Sequence, residues 1–223
     1  LIFSYTMAIY PVMAGLQANC SSEMTLETLT AKSLRYLMVA LLPIAVLGTA
    51  LAQPLSRLVY GDQYAGMESA LRILLWTLPF IAINQVLSRA IFARNRQQSI
   101  PWFLALGILV NLGLGFWWIP RWGYIATSWA ILTVWVLVAV LTFWLALRCR
   151  AAGWDTLRAA IRPAICAALL GGFLLVFEGA NFYLLLVIGA SLYVGLLFLL
   201  QAFPQEDMAL LRKIVRDGTL RVR

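Results

Sequence analysis

The stretch GYIATSWAILTVWVLVAVLTFWLAL, Gly123 to Leu147, runs for 25 residues without a charged side chain or a proline. An α-helix rises 1.5 Å per residue, so this run alone crosses the roughly 30 Å hydrocarbon core of a bilayer. A chain of 24.9 kDa that also has to cover a water-facing surface has no interior in which to hide many such runs. The stretch predicts a transmembrane helix over 123–147, and the same test extends outward in both directions. Further spans are predicted near 35–58, 67–92, 100–119, 157–177 and 181–203, with the tail of another helix at 1–17. The connectors SSEMTLETLTAKS, YGDQYAG, ARNRQQSIP, IPRWG and RCRAAGWDT are short and polar or contain Pro and Gly. The tightest is Glu178–Ala180, where Gly179 breaks one helix and Asn181 caps the next. The runs are too long for strands and lack the period-two alternation of a barrel. The expected fold is all-α: a polytopic integral membrane helix bundle of about six full transmembrane helices plus the N-terminal tail.

Composition agrees. Hydrophobic residues make up 63% of the 223 and charged residues 12%, with a mean hydropathy of +0.87. Soluble domains are nearer half and a quarter. A soluble enzyme, a disordered linker and a nucleic-acid module are excluded as first readings. The chain has no histidine, which removes the commonest general base and metal ligand at neutral pH. Cys20, Cys149 and Cys166 lie far apart without ligand spacing and read as apolar fillers. Leu1 stands inside an apolar run with no charged n-region, which is not a signal peptide and predicts a chain that begins within a helix.

The net charge of +8 resolves into a pattern along the chain. Alternate connections carry Lys32 and Arg35; Arg89, Arg94 and Arg96; and Arg148, Arg150, Arg158 and Arg162. The tail adds Arg212, Lys213, Arg216, Arg221 and Arg223. The opposite ends hold only Arg57, Arg72 and Arg121. Lys and Arg are retained on the cytoplasmic side, so this asymmetry predicts a cytoplasmic C-terminus and leaves no excess for nucleic acid. Trp117, Trp118 and Trp122 at the outer connection, with Trp102 and Trp154 at inner ends, read as headgroup-level anchors; sugar stacking is the competing role for the outer cluster. After Pro204, Met208, Leu211 and Val215 recur at helical spacing beside Leu210 and Ile214. Residues 204–223 are therefore expected to form a cytoplasmic amphipathic helix and basic tail on the lipid surface.

Ionisable and polar groups within spans are costly and mark candidate sites. The span at 67–92 has the richest set. Thr77, Asn84 and Ser88 recur at i, i+7 and i+11 on one helical face, and Gln85 and Arg89 lie beside it at i, i+4. Such a stripe has to face other helices or a wet cavity. Arg72 and Arg89, near opposite ends of that span, either meet a phosphate with their planar forks or snorkel to the interface. Asn111 sits mid-span and is expected to bond another helix. Pro11 and Pro43 fall within spans and are hinge candidates. No span holds paired carboxylates or a proton relay, so no catalytic residue, metal or cofactor is expected and the chain reads as a transporter, not an enzyme.

Several segments together carry a family resemblance: Tyr10–Pro11, LLPIAVLGTALAQPLSRLVYGDQYAG at 41–66, ALRILLW at 70–76 and NLGLGFWWIPRWGYIATSWA at 111–130. In this order they resemble the C-terminal half of the polysaccharide flippases of the multidrug/oligosaccharidyl-lipid/polysaccharide exporter superfamily. One departure is Tyr124–Ile125–Ala126, where the family has Gly-Ala-Ala; it predicts a looser helix contact. The resemblance implies that residues 1–147 are most of the second lobe of a two-lobe, fourteen-helix transporter. It makes 148–203 two additional helices, with the N-terminal lobe of the same chain as a missing partner. It also implies a multi-pass protein of the bacterial inner membrane that translocates undecaprenyl-pyrophosphate-linked oligosaccharide units by alternating access for surface polysaccharide biosynthesis. Arg72 falls at the family's "LRiL" position. A multidrug or lipid II exporter of the same superfamily is the alternative within transport; a membrane-embedded polysaccharide polymerase or ligase is the alternative from another class. The expected partners are a lipid-linked oligosaccharide and membrane lipids.

Overall fold

The computed structural model describes residues 2–18, 25–61 and 66–176, together with 188, 189, 191–193 and 195. Cys20, the Glu178–Ala180 turn with Asn181, most of the 181–203 span and the 204–223 tail lie outside the described residues. The helices that can be bounded among the described residues are α1 (Ile2–Ala18), α2 (Leu26–Ala50), α3 (Ala52–Tyr60), α4 (Met67–Leu75), α5 (Thr77–Ala93), α6 (Ile100–Trp122), α7 (Tyr124–Arg148) and α8 (Trp154–Val176), with a 3₁₀ turn at Gln97–Ser99. Among the described residues, five stretches are long and apolar enough to cross a membrane: Leu26–Ala50, Met67–Ala93, Ile100–Trp122, Tyr124–Arg148 and Trp154–Leu174. The molecule is an all-helical, polytopic membrane bundle.

Where the helices begin and end departs from the hydropathy reading, for reasons that lie in single residues. α2 begins at Leu26, well before residue 35. Thr25 caps it, its Oγ1 accepting the Thr28 N–H at 3.3 Å. The hydroxyls of Thr30 and Ser33 donate back to the Leu26 and Leu29 carbonyls, each at 2.7 Å, so their polarity is spent within the helix. Leu26, Leu29, Leu34, Leu37 and Leu41 then form one buried stripe.

The expected span 35–58 stops instead at Leu51. Pro54 has no N–H for the Ala50 carbonyl four residues back, and its ring crowds that carbonyl. The span at 67–92 breaks the same way at Trp76, three residues before Pro79. There the Trp76 N–H turns to the Ile73 carbonyl at 3.2 Å, and Thr77 Oγ1 donates to the Leu74 carbonyl at 2.6 Å. The two expected hinge prolines behave differently: Pro11 and Pro43 sit inside α1 and α2, which continue through them. At Pro43 the freed carbonyl is that of Val39, and the buried Tyr193 donates its hydroxyl to it at 3.1 Å. The predicted IPRWG connector shrinks to Gly123. Its φ of 60° and ψ of −144° belong to a region open to glycine and strained for other residues.

Packing orders the long helices. α8 lies on α2, α2 on α5, α5 on α7 and α7 on α6, while α1 rests chiefly on α5. Leu37, Met38 and Leu41 of α2, Val86, Leu87 and Ile91 of α5, and Leu170 of α8 form the centre of the core. α6 is the most exposed of the spans. It approaches α7 closely at Gly107, where an added Cβ would stand 3.1 Å from Val138 Cγ2 and 3.2 Å from Val134 Cγ1.

The bundle has two distinct ends. At one, α5 and α7 finish side by side in the same left-handed cap, with Asn95 at φ 55° and Arg150 at φ 51°. Asn95 and Arg96 donate to the Phe92 and Ile91 carbonyls at 2.9 and 3.3 Å; Arg150 and Ala151 donate to those of Leu147 and Ala146 at 3.1 and 2.9 Å. Arg94 Nη2 sews the two caps together through the Arg150 carbonyl at 2.8 Å. At the other end, Tyr124 Oη donates to the Gly66 carbonyl at 3.0 Å. The residue that departs from the resembled Gly-Ala-Ala thus ties α7 to the start of α4, in place of the looser contact expected. Connectivity places Arg94, Arg96, Arg148, Arg150 and Arg158 at the first end and Arg57, Arg72 and Arg121 at the second.

Candidate functional site

α5 lies between α1, α2 and α7, so most of its surface meets protein. That placement decides what its polar residues do. Thr77, Asn84 and Ser88 are buried, as a one-faced stripe on a lipid-embedded helix requires. Thr77 serves the chain break at Trp76. Asn84 reaches across to α7, where the Thr142 hydroxyl stands 2.8 Å from Asn84 Oδ1 and 2.8 Å from the Val138 carbonyl. One hydroxyl proton faces two acceptors. Turning the Asn84 amide resolves this: its NH₂ donates to Thr142 Oγ1, and Thr142 donates to Val138.

Gln85 and Arg89 are half-buried. The Arg89 guanidinium lies 5.9 Å from the centre of the Phe3 ring on α1 and 5.7 Å from that of Phe92. Its Nε is buried and has no hydrogen-bond partner among the described residues. The ring faces orient the cation while leaving donor capacity for an incoming acceptor.

Arg72 stands apart. It is exposed on α4, and 17 residues of helix put it about 25 Å from Arg89 along the span. One pyrophosphate cannot touch both. Asn111 is half-buried on α6 and makes no interhelical hydrogen bond among the described residues. The expected interhelical bond is made instead by Asn84 with Thr142. The pairing escapes sequence analysis because Thr142 lies in an apolar run and its partner is 58 residues away. Among the described residues no three His, Cys, Asp or Glu side chains converge as a metal site would need.

A family model described as "Lipid II flippase MurJ" matches residues 1–198. The chain belongs to the MurJ lipid II flippase family. No curated protein matches it. MurJ membership places the chain in the superfamily that the sequence motifs resemble, and the matching family is the one described as lipid II flippases. The MurJ match spans all of α1 to α8, so the α5 stripe, Arg72 and Arg89 lie within it. Membership in a flippase family is compatible with a protein that moves its cargo without a chemical step.

Proposed function

We propose that this chain supplies one lobe of a transporter that carries lipid II, a lipid-linked pyrophosphate precursor of peptidoglycan, across the inner membrane by alternating access. Residues 1–147 make most of the C-terminal lobe, 148–203 two further helices and 204–223 a surface helix. The basic end, with the C-terminus, faces the cytoplasm. The observation that carries the reading is Arg89: a half-buried cation whose Nε has no partner among the described residues, at the end of a buried polar stripe, in a chain of the lipid II flippase family.

The physical logic is electrostatic. A pyrophosphate crossing hydrocarbon needs its charge met by fixed donors, and a guanidinium offers a planar pair to phosphate oxygens. Arg89 receives the pyrophosphate near the cytoplasmic end, and Arg72, about 25 Å along the span, serves the far end. Asn84, Gln85, Thr77 and Ser88 mark the helix face between them, while the lipid tail stays in the bilayer. Pro11 and Pro43 supply the bends about which the lobe rocks.

The test is R89Q in the full-length protein, expressed in cells depleted of their own lipid II flippase. Lipid II is expected to accumulate on the cytoplasmic leaflet at unchanged protein level. Normal transport by R89Q removes Arg89 from the cargo path. Oligosaccharide repeat units on the same carrier are the second reading, favoured by the motifs at 41–66, 70–76 and 111–130. Restoring surface polysaccharide but not peptidoglycan export would select it.

A further inference from the structure

α6 and α7 form an antiparallel hairpin that turns at Gly123. Residues equally distant from Gly123 stand at similar height, as Gly107 against Val134 and Val138 shows. Near the C-terminal end of each helix an arginine lies over a tryptophan four residues earlier. The Arg148 guanidinium is 3.8 Å from the centre of the Trp144 ring, and that of Arg121 is 4.7 Å from the Trp117 ring. Because the helices run in opposite directions, one pair stands at each end of the bundle.

Their heights are informative. Arg121 is level with residue 125, so the two arginines are separated by about 34 Å of helix. Trp117 is level with residue 129, so the main-chain positions of the two tryptophans are about 22 Å apart. A hydrocarbon core of roughly 30 Å falls between these two spans, so each stacked pair stands at one of its two edges. Trp117 and Trp144 are 59% and 47% exposed, and both arginines are exposed. Each tryptophan ring holds its exposed arginine beside the membrane edge, where the guanidinium can donate to a lipid phosphate.

We propose that these two Trp–Arg pairs are phospholipid headgroup sites, one per leaflet, that bind the lipid phosphodiester and fix the height and tilt of the α6–α7 hairpin. The occupant is a bulk membrane phospholipid, and the sites are separate from the α5 stripe. A cation at the surface binds acidic lipid several-fold better than a neutral group there, and the stacked, planar guanidinium adds geometry that an ammonium lacks.

The full chain in detergent, titrated with phosphatidylglycerol and followed by native mass spectrometry, tests this. W144L, R148Q and R148K are each expected to weaken one lipid-binding step about fivefold. W117L and R121Q weaken a different step by a similar factor, and W117L/W144L weakens both. R158Q, which removes an exposed arginine paired with Asp155, leaves both steps unchanged. R148K keeps charge and length, so its loss separates the stacked fork from simple attraction and from misfolding. Wild-type binding by W117L/W144L, or by R148K, overturns the proposal.

Discussion

The hydroxyl of Tyr193 donates to the main-chain carbonyl of Val39 at 3.1 Å, the carbonyl that Pro43 leaves without its helical partner. In hydrocarbon a bare carbonyl is expensive, and α2 continues through its proline with that carbonyl supplied from a distant segment. The same lesion is handled differently at Pro54 and Pro79, where the helix breaks. The bond gives the bend at Pro43 a specific partner that has to stay or leave whenever α2 flexes.

Removing that hydroxyl with Y193F should lower stability in detergent by about 1 kcal/mol, read from the thermal unfolding midpoint. In a P43A background, residue 43 regains an N–H for Val39, and the effect of Y193F should shrink to a few tenths of a kcal/mol. Equal losses in both backgrounds would show that the bond does not serve the proline.

Asn84 and Thr142 should be energetically coupled. N84L and T142V in a double-mutant cycle are expected to show an interaction of about 0.6–1.7 kcal/mol, the range of interhelical hydrogen bonds in membranes. Strict additivity would mean that α5 and α7 are joined by packing alone.

At Gly123 an added side chain meets no atom within 4 Å, so G123A isolates the backbone. Its φ of 60° and ψ of −144° predict a loss of about 1–3 kcal/mol from conformation alone. A neutral G123A would show that the α6–α7 turn relaxes freely.

Orientation follows from charge and is open to direct labelling. In a cysteine-free background, N95C sits in the exposed cap at the basic end and W122C at the opposite end. An impermeant maleimide applied to intact spheroplasts should modify W122C and spare N95C. The reverse pattern would invert the proposed topology.

Much of this architecture is legible in residue order, and what is not has identifiable causes. The span at 123–147 is recovered within a residue at each end, because an uncharged run of that length has no other stable home. The breaks at Leu51 and Trp76 are missed because a proline acts on the carbonyl four residues earlier, while hydropathy averages over it. The start of α2 is missed because Thr30 and Ser33 read as connector polarity until their hydroxyls fold back onto their own helix. The α5 stripe is visible from its period, whereas its partners are not: Thr142 for Asn84, Phe3 for Arg89 and the distance of Arg72 depend on how helices meet. The motifs reach the superfamily without separating its lipid II family from its polysaccharide family, for a related reason. Loose apolar motifs mark a superfamily's shared helices and not the donors that select a headgroup.

Transbilayer movement of lipid II itself tests the central claim. The full-length protein in vesicles holding fluorescent lipid II, with an impermeant quencher outside, should bring the internally facing label into the quenchable pool faster than protein-free vesicles do, and R89Q should slow this at equal incorporation. Label that stays on its original side in vesicles carrying well-folded protein would contradict the account.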